Sequence, residues 1–176
     1  MLHAALQRHP AAPCAPLRSV EVFLERSADG QLQVRYLLDG DLDRLRIPPR
    51  RAPRSAERLW QHTCCEIFVA REGESGYDEY NFSPSGEWAS YAFARYREGG
   101  AFPSADPRIR VRREAGRLEL EARVSKRYPG KLRIGLSAVI EDAGGALSYW
   151  ALRHPPGKPD FHHATTFALE LDEVRH

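Results

Sequence analysis

The chain has 176 residues, of which 42% are hydrophobic, 28% are charged and 10% are aromatic. This composition is typical of a folded globular protein and excludes a disordered or fibrous chain. The 26 basic and 24 acidic residues leave a formal net charge of +2, which is not the basic excess of a nucleic-acid-binding domain.

Residues 1–16 are interpreted as an N-terminal extension, and residues 17–176 as the folded domain. The N-terminal segment lacks the long apolar run of a signal peptide, because Arg8, Pro10 and Pro13 interrupt it. No stretch approaches the ~20 apolar residues of a membrane span. The three cysteines are odd in number and two are adjacent, which is not a disulfide framework. We therefore expect a cytoplasmic protein that does not contact a membrane.

Strand patterns follow in the next part of the chain. Apolar and polar residues alternate at 20–25 and again at 32–38, on either side of an Asp-Gly turn, which predicts a hairpin. Residues 47–58 are rich in proline and arginine without any period, so they predict an exposed loop. Residues 64–70 are apolar on both faces, which predicts a central strand paired on both sides.

The second half of the chain continues this pattern. A Ser-Pro-Ser-Gly turn at residues 83–86 predicts another hairpin, because proline fixes φ and glycine supplies a positive φ. Further strands are predicted at residues 108–112, 117–124, 132–140, 148–152 and 166–171. About ten short strands without a sustained helical period predict an all-β fold, a two-sheet antiparallel β-sandwich in one domain.

Two sequence blocks resemble a known family. LWQHTCCEIFVA (59–70) followed by YDEYNFSPSGEWASYAF (77–93), and later SYWALRHPPGKPDFHHATTFALEL (148–171), are similar to small bacterial DOMON-like proteins, which are related to family-nine carbohydrate-binding modules. The resemblance covers the chain nearly end to end. It implies a two-sheet β-sandwich without catalytic activity. Its ligand would be a sugar, as in the family-nine modules, or a haem or sugar, as in other DOMON domains.

One position departs from the resemblance. Where the family pattern leads us to expect a large apolar residue, this chain has Cys65. Adjacent side chains of a strand point to opposite faces, so we interpret Cys64 and Cys65 as reduced, buried and inert. The alternative is a reactive Cys64 thiol that His62, two residues earlier on the same face, activates.

Candidate ligand-binding residues come from two distant segments. Three prolines stiffen residues 154–163, which lowers the entropy cost of holding polar groups in place. Tryptophan rings bind the apolar faces of sugars, while charged side chains bind their hydroxyls. The predicted ligand-binding residues are Trp60, His62, Glu66, Trp150, His154, Lys158, Asp160 and His162. We expect His62, Glu66, Trp150, His154, Lys158 and His162 to converge on one cleft.

Each candidate also has a structural interpretation. Glu66 is flanked by apolar residues and could form an ion pair with an arginine. Residues 154–163 could simply cross between the sheets, with their histidines capping backbone groups. The tryptophans could belong to the core, an interpretation that we favour for Trp88.

Three other functions remain open. A metal-dependent or acid/base hydrolase could use His62, Glu66, His154 and His162, although the chain lacks a compact zinc-ligand motif. Haem binding through methionine and histidine is excluded because the only methionine is Met1, which leaves bis-histidine ligation. A protein-interaction module is the third. The leading hypothesis is a non-catalytic protein that binds a small molecule, a carbohydrate or a sugar-like compound. We expect no cofactor, with haem and a divalent metal still open.

Overall fold

The computed structural model describes residues 1–102 and 106–173. Thirteen strands in this part of the chain form two antiparallel sheets, which confirms the predicted β-sandwich. The strands are β1 Leu2–Ala5, β2 Gln7–Arg8, β3 Leu17–Arg26, β4 Gln31–Gly40, β5 Cys64–Arg71, β6 Tyr77–Phe82, β7 Trp88–Arg95, β8 Glu98–Ala101, β9 Arg108–Glu114, β10 Arg117–Arg127, β11 Leu132–Glu141, β12 Leu147–Ala151 and β13 Leu169–Leu171. Among the described residues no helix is long and apolar enough to cross a membrane.

The two sheets differ in size. The smaller sheet has the strand order β1-β3-β4-β10-β9. The larger sheet has the order β2-β12-β11-β5-β6-β7-β8, and β13 also pairs with β11. The β3–β4 hairpin turns at Gly30, whose φ of 84° suits a residue without a side chain. The polar positions of β10 alternate with buried ones, as the sequence predicts for a sheet with one solvated face, and those of the edge strand β9 alternate with partly buried Ile109 and Val111.

The first 16 residues, interpreted from sequence as an extension, contribute one strand to each sheet. Strand β1 pairs with β3 at the edge of the smaller sheet, and β2 pairs with β12 at the edge of the larger one. Leu6, between these strands, is buried. The segment thus crosses from one sheet to the other and packs as part of the sandwich.

Strand β5 lies in the middle of the larger sheet, as predicted. It pairs with β11 on one side and β6 on the other. Every residue from Cys64 to Ala70 is buried. Cys65, Ile67 and Val69 point into the core between the two sheets, whereas Phe68 and Ala70 belong to a second apolar cluster on the outer face. One face of β5 is therefore buried in the core between the sheets, and the other face is buried in the second apolar cluster.

The outer face of the larger sheet is covered by residues 152–168, here called the C-terminal segment. Phe161 and Phe167 of this segment pack with Phe68 and Tyr77 of the sheet. The segment comes this close because β11 has a glycine, Gly135, opposite Phe68. A Cβ atom at that position would lie 2.7 Å from the ring of Phe167. The covering layer is where the candidate site forms.

Candidate functional site

A cleft of about 350 Å³ opens between the outer face of the larger sheet and the C-terminal segment. We call it the outer-face cleft. Its lining combines aromatic rings with acidic and basic groups: Trp60, Glu66, Glu79, Tyr91, Phe93, Arg97, Val139, Tyr149, Pro159, Phe161 and His162. The volume falls in the range of small-molecule sites in proteins.

Strand alternation places most of these side chains. Tyr149 lies opposite Val139 across the β12–β11 pair, and Tyr91 lies opposite Glu79 across the β6–β7 pair. Glu66 projects from β5, between β11 and β6. Because residues two apart on a strand share a face, the cleft floor draws on five adjacent strands.

Trp60 and Arg97 reach the cleft from turns outside the regular strands. Trp60 lies in a 3₁₀ turn, Leu59–Gln61, and is 49% exposed. The residue before that turn, Arg58, has a φ of 58°, and Arg97 has a φ of 55°. These two are the non-glycine residues with positive φ in the described part of the chain. Left-handed backbone costs energy for residues with a side chain, and such strain is often found at functional sites.

Two buried carboxyl groups lie on the cleft floor. Glu66 is 3% exposed and Glu79 is 5% exposed. Glu66 lies opposite Asn81, and Glu79 is two residues from Asn81 on the same face. The two glutamates are therefore diagonal neighbours on adjacent strands, within reach of long side chains.

Burial dominates the electrostatics of this pair. Loss of solvation raises the pKa of Glu66 well above its usual range, and the nearby charge of Glu79 raises it further. Burial also raises the pKa of Glu79 to about 7. Glu66 accepts one long hydrogen bond, 3.4 Å, from the Ser137 hydroxyl. The fully buried Asn81 amide favours the charged form of Glu79, but it makes no hydrogen bond of normal geometry with any described residue.

His162 closes the cleft from the C-terminal segment. Its Nδ1 lies 2.8 Å from the Tyr77 hydroxyl, and its Nε2 lies 3.6 Å from Glu79 Oε2. The Tyr77 hydroxyl accepts a hydrogen bond from the Arg97 backbone amide, so its own hydrogen is free for Nδ1 and the neutral ring carries its hydrogen on Nε2. Burial and the nearby Arg97 charge lower the pKa of His162 to about 4. The ring is therefore neutral at neutral pH.

Arg97 is held by an acidic residue of the opposite rim. Its Nη2 donates to Asp160 Oδ1 at 2.9 Å, and its Nε donates to the Tyr96 hydroxyl at 3.1 Å. Tyr96 in turn donates to Asp160 Oδ2 at 2.6 Å. Although burial acts in the opposite direction, the hydrogen bonds from Tyr96 and Arg97 lower the pKa of Asp160. This ion pair ties the β7–β8 turn to the C-terminal segment.

The cleft brings together part of the predicted set. Trp60, Glu66 and His162 line it, although His162 lies far from the other two in the sequence. Asp160 lies at the rim, where it holds Arg97. The ion pair with an arginine that we considered for Glu66 is not formed among the described residues.

The prediction that Trp150 lines the cleft is wrong. Trp150 is 5% exposed and belongs to the core between the sheets, where its indole Nε1 donates to the Ser148 hydroxyl at 3.1 Å. Side chains alternate along β12, so Tyr149 points to the outer face and Trp150 to the inner one. The aromatic face that the sequence assigned to Trp150 is supplied by its neighbour.

Three further predicted residues lie outside the cleft lining. His62 Nδ1 lies 2.8 Å from Glu141 Oε2, and His154 Nε2 lies 2.7 Å from the Gln7 carbonyl oxygen. Lys158 is exposed on the C-terminal segment. The four residues of the hydrolase hypothesis are therefore not assembled into one cluster. In the part of the chain that the structure describes, no group of three or more metal-ligating side chains is arranged to hold an ion.

The cysteines diverge as predicted. Cys64 shares the outer face with Glu66, while Cys65 belongs to the core between the sheets. Both are free and fully buried, and burial raises the pKa of each thiol. His62 contacts Glu141 instead of Cys64, so the proposed activating pair is not formed.

Several residues of the cleft were not predicted from the sequence, notably Glu79, Tyr91, Arg97, Tyr149 and Phe161. Alternation alone could have placed Glu79 on the same strand face as Tyr77 and Asn81. Assigning that face to the cleft required knowing that β6 pairs with β5 in a particular register. Arg97 lies in a turn, where the sequence has no periodic signal.

Comparisons with known proteins give structural matches only. No family model and no curated protein matches the chain. The fold is similar to that of a protein of Bacteroides uniformis proposed to bind carbohydrate, with a TM-score of 0.67 and 14% identity over 97% of this chain and 85% of that one. It is also similar to a family-nine carbohydrate-binding module of Caldicellulosiruptor kristjanssonii in complex with glucose, with a TM-score of 0.52 and 12% identity over 88% and 75% of the two chains. At these identities the similarity concerns the fold.

Proposed function

We propose that the chain is a non-catalytic carbohydrate-binding domain and that its ligand occupies the outer-face cleft. The observation that carries this proposal is Trp60, a large apolar ring that is 49% exposed at a cleft with buried acidic groups. Sugars have an apolar ring face and a polar rim, and this combination of side chains complements both.

Each cleft residue has a role that follows from its chemistry. Trp60 and Tyr149 offer ring faces to the apolar side of a sugar. Glu66 and Glu79 accept hydrogen bonds from hydroxyls, and Arg97 and the Nε2 hydrogen of His162 donate to ring or hydroxyl oxygens. A cleft of about 350 Å³ suits one or two sugar rings.

The fold similarity supports the same proposal. One structural relative is a family-nine module in complex with glucose, and the sequence blocks that resemble DOMON-like proteins contribute Trp60, Glu66, Glu79 and His162. We extend the proposal to membership of the DOMON-like group on the basis of those blocks.

The test is titration calorimetry of the full chain with glucose and short glucose oligomers, alongside Trp60→Ala. We expect binding to the native chain and at least a tenfold weaker affinity for the variant, roughly the 1.4 kcal/mol that one ring face contributes. Lys158→Ala is the control, since Lys158 is exposed on the C-terminal segment but does not line the cleft. Unchanged affinity in Trp60→Ala, or no sugar binding by the folded native chain, would overturn the proposal.

A further inference from the structure

The floor of the outer-face cleft holds two acids without a fixed partner cation. Glu66 and Glu79 are both buried and are diagonal neighbours on β5 and β6. No lysine or arginine forms an ion pair with either of them in the described part of the chain. Buried carboxylates without a counter-charge are costly, and a folded protein normally pairs them.

The nearby cationic groups are already used or uncharged. The Arg97 guanidinium favours the charged form of Glu79 from a distance, but its hydrogen bonds and its ion pair go to Asp160 and Tyr96 and not to either glutamate. His162, which faces Glu79 at 3.6 Å, is a neutral ring held by the Tyr77 hydroxyl. Other titratable groups around the pair are Tyr36, Cys64, Cys65, Tyr77 and Tyr91, and none of them supplies positive charge. Neither glutamate therefore has a charged ion-pair partner among the described residues.

The walls of the cleft also suit a cation. Trp60, Tyr91, Tyr149 and Phe161 border the same space as the two carboxyl groups. The faces of aromatic rings attract positive charge, most strongly where water is excluded. A sugar that carried a cation could therefore be bound by the rings and by the acids together.

We propose that the ligand of the outer-face cleft is an amino sugar, whose protonated amine lies between the Glu66 and Glu79 carboxyl groups. This inference rests on the proposed function, since it names the class of sugar that the same cleft binds. The ammonium group pairs with the carboxylate charge and donates up to three hydrogen bonds to carboxylate oxygens.

Binding of an ammonium group requires a proton to leave the pair. Burial raises the pKa of Glu79 to about 7, so the empty cleft holds at least part of a proton on its acids at neutral pH. When the ammonium binds, that proton passes from a carboxyl oxygen to the buffer, and no other bond changes. A neutral sugar makes no such demand. Proton release therefore distinguishes the two kinds of ligand.

The experiment is titration calorimetry of the full chain with glucosamine, N-acetylglucosamine and glucose at matched ionic strength. These sugars share one ring and differ in whether the substituent is an amine, a neutral amide or a hydroxyl. We expect glucosamine to bind at least about tenfold more tightly than the other two. Its binding heat should depend on the ionisation enthalpy of the buffer in the direction of proton release.

Isosteric variants test the role of the acids. Glu66→Gln and Glu79→Gln should each reduce the preference for glucosamine over glucose by about tenfold, because each removes one carboxylate while keeping the shape. Glu25→Gln is the matched control, since Glu25 is exposed on β3 of the other sheet. Circular dichroism establishes that each variant is folded.

The outcomes separate this inference from the proposed function. Equal affinities for the three sugars would overturn the amino-sugar assignment and leave the sugar-binding function standing. A preference for glucosamine that survives in both variants would overturn the role of the carboxyl pair. If none of the sugars binds the folded chain, both proposals fail.

Discussion

The two faces of the larger sheet are both buried, yet they are built on different chemistry. On the inner face, Cys65, Ile67 and Val69 of β5 pack into a continuous apolar core with the smaller sheet. On the outer face of the same strand, Glu66 alternates with Cys64 and Phe68 beneath the C-terminal segment. Cys65, which lies in an apolar core, and Glu66, which is a buried acid on the opposite face, are thus neighbours in the sequence.

The two faces of the larger sheet therefore differ in what they contribute to stability and to the candidate site. The inner face is stabilised mainly by the hydrophobic effect, since apolar side chains gain about 25 cal/mol for each Å² removed from water. The outer face includes two carboxyl groups whose burial raises their pKa values. Buried acids without a partner charge reduce stability. We infer that the inner face stabilises the sandwich and the outer face serves ligand binding.

The largest expected effect comes from exchanging one tryptophan on each face. Trp150→Ala should destabilise the protein by about 3 to 5 kcal/mol, because it leaves a cavity in the core between the sheets. Trp60→Ala should change the stability by less than about 1 kcal/mol, because Trp60 is 49% exposed. Urea unfolding of both variants measures the difference. Equal losses would break the distinction between the two faces.

The next largest effect concerns how the buried Glu79 changes the stability of the protein with pH. Its pKa is about 7 in the folded protein, against 4.5 for an ordinary glutamate. Between pH 4.5 and about pH 7, the folded state therefore holds a proton that the unfolded chain has released. The free energy of unfolding falls as the pH rises through this range. Glu79→Gln does not titrate. The variant should become more stable than the native chain by about 2 to 3 kcal/mol between roughly pH 4.5 and pH 8.

Chemical unfolding at several pH values checks this expectation. Glu25→Gln, on the solvated face of the other sheet, is the control and should follow the native curve. A Glu79→Gln variant that is less stable than the native chain at high pH would show that the carboxylate is stabilised by partners in the cleft. In that case the outer face would resemble an ordinary ion-pair site.

A smaller effect is expected at the contact between the sheet and the C-terminal segment. Tyr77→Phe removes the hydroxyl that lies 2.8 Å from His162 Nδ1 and accepts from the Arg97 amide at 3.1 Å. Losing these hydrogen bonds should destabilise the protein by about 1 to 2 kcal/mol. The pKa of His162 should change with them, which NMR titration of the ring would report. An unchanged titration would mean that Tyr77 does not position the ring.

The fold was largely predictable, because its causes are local. Alternation at residues 32–38 and 117–124 marks strands that pair directly, as β4 and β10 do, and the apolar run of residues 64–70 places β5 at the centre. The short edge strands β1 and β2 were missed. Strands of four and two residues have too few positions to establish a period.

The site was predictable only in part, because it depends on which face each strand presents. The sequence pattern predicted Glu66 and His162 as ligand-binding residues, and both line the cleft. It also predicted Trp150, but Trp150 lies in the core and Tyr149 lines the cleft. Choosing between adjacent residues requires knowing which face the C-terminal segment covers. That covering rests on long-range packing such as Phe167 against Phe68 and Gly135, which no local pattern encodes.

The smallest expected effect concerns the adjacent cysteines, which sample both faces of one strand. Cys64 and Cys65 are both fully buried, and burial raises the pKa of both thiols, so each should react slowly with a thiol reagent under native conditions. Cys65 is reached only when the sandwich unfolds. Cys64 lies on the outer face near Glu66 and Glu79, and the C-terminal segment that covers part of this face can open locally at a lower free energy. The test compares two variants in a Cys14→Ser background, one that retains only Cys64 and one that retains only Cys65. The variant with Cys64 should be labelled somewhat faster. Ligand that fills the outer-face cleft should slow the reaction of Cys64 alone. Rapid labelling of both thiols would contradict the burial of the two faces, and identical slow rates would show that the C-terminal segment opens only when the whole sandwich does.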